Sequence, residues 1–120
     1  MSIQYGTIYS GTFLDKGNSG STTQNLNFTD AFHQKITNTG AFNITTSNWP
    51  STGNLGQIML ELVNGAANSI TWPTINWIKS DGTTTTSFST NGVTLQTNGT
   101  DWIILWSKDG GTTIYGKVVR

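Results

Sequence analysis

Asp101-Trp102-Ile103-Ile104-Leu105-Trp106-Ser107 is the stretch that decides how the chain is read. Five large apolar residues stand in a row, the two Trp and two Ile among them favouring a strand. Successive side chains of a strand point to opposite faces, so this run is apolar on both. Such a strand lies at the centre of a sheet or beneath a neighbouring subunit. Asn98-Gly99 and Asp109-Gly110-Gly111 bracket it, and both tolerate the positive φ of tight turns.

Working outward, Gln57-Ile58-Met59-Leu60-Glu61-Leu62-Val63 alternates Ile58, Leu60 and Leu62 against Met59, Glu61 and Val63. Ser69-Ile70-Thr71-Trp72, stopped by Pro73, and Gly92 to Thr97, with Val93 and Leu95 inward, read as further strands. Thr113 to Val119 closes the chain. In the first half Ile3 to Tyr9, Asn25 to Phe28, His33 to Thr37 and Ala41 to Thr45 are short strands. Gly17 to Ser21 reads as a flexible loop. Turn pairs at Asn64-Gly65, Asp81-Gly82 and Asn91-Gly92 punctuate the rest. About eight short strands with turns every 8–12 residues predict one all-β domain over residues 1–120, an antiparallel β-sandwich of jelly-roll type. No fixed repeat points to a solenoid.

Composition narrows the function classes. Charged residues make up 10% of the 120, against about 25% in typical domains, and the net charge is zero. Five Trp, five Phe and three Tyr argue against disorder. Thr, Asn, Ser and Gly take the place of charge, which suits an extracellular or assembled particle. There is no Cys, so disulfide and thiol chemistry are excluded. Scattered lysines give no basic patch, so no nucleic-acid partner is expected. No apolar run is long enough for a membrane-spanning helix, and the first residues lack a secretion signal.

Catalysis needs a nucleophile, a base or a metal. His33 is the only His, near Asp30 and Lys35, without a nucleophile elbow or a second ligand at metal spacing. The six carboxylates stand singly, so no acid–base pair, metal site or cofactor is expected. An enzyme is therefore not expected. Of the five Trp, Trp102 and Trp106 are expected in the core or a subunit interface. Asn48 and Trp49, in a loop before Pro50, with Trp77 and Thr84, are the candidate contacts for a glycan. Ile3, Tyr5 and Tyr9 are candidates for a terminal strand that docks on a neighbour.

The second half carries a recognisable order of features. Ile70-Thr71-Trp72-Pro73 is followed by Trp77, the Asp101 to Trp106 strand, and Lys108-Asp109-Gly110-Gly111-Thr112-Thr113-Ile114-Tyr115-Gly116. This resembles a small β-domain found in virion proteins of tailed phages, over residues 57–120. The chain departs from that pattern at Ile114, where the family often has Trp, and at Ile78 to Gly82, which replaces a Gly-Gly-x-x-Pro stretch. The resemblance implies a non-enzymatic module of tail fibres, tail tips or head-associated proteins, often trimeric. Read as a whole chain without a stalk, it is expected to be a capsid decoration or head-fibre subunit. Its partners would be copies of itself and other virion proteins such as major capsid or tail proteins. The alternative is a receptor-binding module for host-surface glycan.

Overall fold

Residues 12–119 are described by a computed structural model. Ile3, Tyr5 and Tyr9 lie outside the described residues. Among the described residues ten strands form: β1 (Phe13–Asn18), β2 (Gln24–Asn27), β3 (His33–Thr37), β4 (Phe42–Ser47), β5 (Gly56–Val63), β6 (Ile70–Thr71), β7 (Asn76–Ile78), β8 (Thr84–Thr85), β9 (Thr100–Ser107) and β10 (Tyr115–Val118). They make a seven-stranded sheet ordered β1-β3-β5-β9-β10-β7-β8 and a three-stranded sheet ordered β2-β4-β6. The all-β architecture of two sheets is as expected. The strand built on Trp102 to Trp106 is β9, the middle strand of the large sheet.

The expectation of antiparallel pairing needs correction, because the large sheet is mixed. β1, β3 and β5 pair in parallel, as do β2, β4 and β6, and β7 with β10. Only β5–β9, β9–β10 and β7–β8 are antiparallel. From β1 to β6 the chain alternates between sheets, each strand lying beside the one two before it, like the turns of a coil. The physical reason lies in the corners. A hairpin returns the chain to the same sheet, whereas these corners keep the apolar face inward while the chain crosses to the other sheet. No repeat is visible because the turns differ in length: Phe13 lies beside His33 and Gln24 beside Ile44, but His33 lies beside Met59 and Phe42 beside Ile70. The stacked residues also differ chemically.

The corner at Gly17 to Ser21, expected to be flexible, is instead tied down. The Ser19 N–H donates to the Thr37 carbonyl at 2.8 Å, and the Thr39 N–H donates to Ser19 Oγ at 3.1 Å. Gly40 packs so tightly here that an added Cβ would sit 2.8 Å from the Gly20 carbonyl oxygen. Backbone cannot swing aside as a side chain can. Gly40→Ala is therefore expected to cost about 1–3 kcal/mol, read as a lowered urea midpoint at unchanged slope.

The core lies between the sheets. Leu26, Phe42 and Ile44 face Ile36, Ile58, Leu60, Leu62, Ile103 and Leu105, all buried. β5 alternates buried and half-buried along its whole length, as its sequence pattern requires. The residues 92–97 form no strand, against expectation. Val93 and Leu95 still pack on the core, while the Gln96 N–H donates to the buried Asp101 carboxylate at 2.6 Å. The ladder partner that a strand would offer is replaced by a side chain.

Candidate functional site

β9 presents Ile103 and Leu105 inward with Asp101 and Ser107, and turns Trp102, Ile104 and Trp106 outward. The two Trp expected in the core or an interface are thus outside the core. Trp102 is 42% exposed. The outer face of the large sheet is consequently apolar along its central strand.

Strand register arranges this face in rows. One row runs Phe13, His33, Met59, Ile104, Lys117, and the next Asp15, Lys35, Glu61, Trp102. A third runs Gln57, Trp106, Tyr115, with the two rings stacked at 5.8 Å. Phe13, 57% exposed, meets the His33 ring edge-on at 4.8 Å, and Trp102 meets it from the other side at 5.7 Å. His33 Nε2 and Glu61 Oε1 are 2.9 Å apart, the one ion-pair contact among the described residues. Nearer β10 the face deepens into a groove of about 560 Å³. Leu55, Ile104, Trp106 and Val119 make it apolar, and Gln57, Lys108 and Lys117 add its polar groups. Neither lysine has a carboxylate within ion-pair distance among the described residues.

The four residues expected to contact glycan do not form one surface. Asn48, in the left-handed region at φ 59°, donates its side-chain N–H to Asn27 Oδ1. Trp49 leans on Phe28 at 5.9 Å and spends its indole N–H on Thr46 Oγ1 at 2.9 Å. It is half-buried packing for the end of the small sheet. Trp77 is 1% exposed, so its expected role as a ligand platform is corrected to that of a core residue. It sits edge-on to Trp72 and Phe88, which stack on each other. Thr84 lies on β8, at the far edge of the large sheet.

The two Asp-Gly turns are held by their own carboxylates. The Asp81 carboxylate accepts the hydroxyl and the N–H of Thr83, and these bonds hold its pKa below the ordinary carboxylate value. Asp109 is held down in the same way, first by the N–H of Thr113, then by its hydroxyl, with Ser107 adding a third bond. A depressed folded-state pKa gives stability that is present above the unfolded value and lost as pH falls through the folded one. Asp109→Asn is therefore expected to flatten the drop in melting temperature below about pH 4, followed by circular dichroism at successive pH values. No three His, Asp or Glu side chains among the described residues come together to hold a metal ion.

Comparison with protein families, with curated proteins and with solved structures finds no match to this chain.

The outer face was only partly anticipated. Trp102 and Trp106 are expected in the core or a subunit interface, whereas Phe13, Met59, Ile104 and Val119 have no signal apart from strand parity. Their assembly into one face depends on parallel neighbours that local pattern does not reveal.

Proposed function

We propose that the chain is a non-catalytic structural subunit of a phage particle, of the capsid-decoration or head-fibre kind, and that the outer face of the large sheet is the surface it buries in the assembly. The apolar residues of that face, Phe13 and Trp102 exposed and Met59, Ile104 and Trp106 half-buried, carry this reading. Large apolar surfaces on a soluble domain mark contact with other molecules. The neutral hydroxyl- and amide-rich composition suits close packing among virion proteins, and the resemblance of residues 57–120 supplies the kind of particle. The His33–Glu61 pair lies beside the rings of Phe13 and Trp102 on this face, an arrangement suited to contact. The glycan alternative loses its platform once Trp77 is in the core and Trp49 is spent on packing.

Antibody labelling of purified particles by electron microscopy tests the reading. Label over the whole shell is expected. Label confined to the tail would move the subunit to a tail role, and particles free of the protein would rule the reading out.

A further inference from the structure

We propose that the groove on the outer face binds an extended segment of a different protein, one that carries two carboxylates four residues apart with an apolar residue midway between them. This rests on reading that face as the buried surface of an assembly, and it gives the chemistry of the neighbour.

The groove of about 560 Å³ joins apolar lining to charge of a single sign. Leu55, Ile104, Trp106 and Val119 line it, and among the described residues its charged lining is Lys108 and Lys117, with no carboxylate. Asp109 follows Lys108 in sequence, but its carboxylate is held inside its own turn by the Thr113 N–H at 2.8 Å and the Ser107 hydroxyl at 3.0 Å. Glu61 lies outside the lining and contacts His33 at 2.9 Å. The apolar surface favours any apolar occupant. The two lysines select an anionic one.

Register sets the spacing. Lys117 lies beside Ile104 of β9, and Lys108 follows Ile104 by four residues with Trp106 midway. Four residues of extended chain span about 13 Å. An extended segment turns every second side chain to one side. Carboxylates at positions i and i+4 therefore reach the two lysines while residue i+2 lies against Trp106. A single-headed anionic amphiphile meets one lysine and leaves the other. Nor can a second copy of this chain supply the segment. Its acidic residues are Asp15, Asp30, Glu61, Asp81, Asp101 and Asp109, and no two of them are four residues apart. Charges at the rim of an open groove add little affinity each, so their effect here is to choose the partner and fix its position.

Fluorescence anisotropy of the full 120-residue chain with a labelled peptide, Ser-Glu-Thr-Leu-Thr-Glu-Ser with blocked termini, is the test. Saturable binding that weakens as salt is raised is expected. The reordered peptide Ser-Glu-Thr-Glu-Thr-Leu-Ser, of the same composition, should bind about fivefold or more weakly. The double variant Lys108→Glu with Lys117→Glu should keep its circular dichroism spectrum and lose the first peptide. It should instead bind the version with Lys in place of both Glu. No binding up to millimolar peptide, equal binding of the reordered peptide, or no recovery in the charge-reversed pair would overturn the proposal. So would tighter binding of dodecanoate than of the peptide, which would make the groove a site for an anionic lipid. Each of these results leaves the structural role standing if particles carry the label. Particles free of the protein, with the peptide still bound as expected, remove that role and keep the groove's specificity.

Discussion

Trp77→Ala is expected to cost about 3–5 kcal/mol, while Trp102→Ala, on the outer face of β9 and outside the core, should cost under about 1 kcal/mol in the isolated chain. The contrast follows from position. Trp77 is 1% exposed and locks two other rings, Trp72 at 5.0 Å and Phe88 at 4.8 Å, both edge-on. Truncation removes the largest side chain of the core and leaves Trp72 and Phe88 without the surface they pack on. The cavity cannot close, because β7 is held between β10 and β8. Against a total stability of about 5–15 kcal/mol for a domain, such a loss brings the chain close to unfolding. Trp102 loses only a half-covered contact with His33. Urea unfolding of both variants makes the comparison; a larger cost for Trp102→Ala than for Trp77→Ala would mean that the assignment of inside and outside is reversed.

That assignment was the least legible part of the sequence. The run from Trp102 to Trp106 marks a central strand correctly, but an apolar run does not say which parity faces the core. The flanking residues pointed the wrong way. Asp101 and Ser107 share parity with Ile103 and Leu105, and a polar residue at each end suggests the solvent side. Both are in fact buried, because each serves the backbone of an adjacent turn: Asp101 accepts from the Gln96 N–H, and Ser107 Oγ from the Gly111 N–H at 2.9 Å. A buried polar group bonded in this way is satisfied and stays inside.

Strand direction was equally hidden. Period-two alternation is the same for a parallel as for an antiparallel neighbour, so β3 and β5 were legible as strands and not as successive turns of a coil. Where a real hairpin exists, the signal held: Asp81-Gly82 joins β7 to β8, with Gly82 at φ 86°. Asn91-Gly92, equally hairpin-like, instead follows a short 3-10 turn at Phe88–Thr90 and leads into the irregular segment that covers the core. The glycan platform failed for a related reason, since a Trp looks alike in sequence whether it covers a sheet end, as Trp49 does, or fills the core, as Trp77 does.

Gly116→Ala should cost about 1–3 kcal/mol, and most of that cost should vanish when Trp77 is made smaller. An added Cβ would lie 2.8 Å from Trp77 Cζ3 and 2.9 Å from both Trp77 Cε3 and Ile75 Cγ2. Gly116 has no positive φ, so the penalty comes from lost space rather than from backbone strain. It sits on β10 directly beside Trp77 of β7, where the parallel pairing prevents the strands from moving apart. In a Trp77→Leu background the two ring contacts are gone and only Ile75 resists. The substitution then also gains the roughly 0.4–1 kcal/mol that Ala brings by restricting the unfolded chain. The two changes should therefore be coupled by about 1 kcal/mol or more, with the double variant more stable than the sum predicts. A double-mutant cycle by urea denaturation measures this directly. Additivity within about 0.5 kcal/mol would mean that Trp77 does not press on β10, and that the glycine is there for some reason other than the ring beside it.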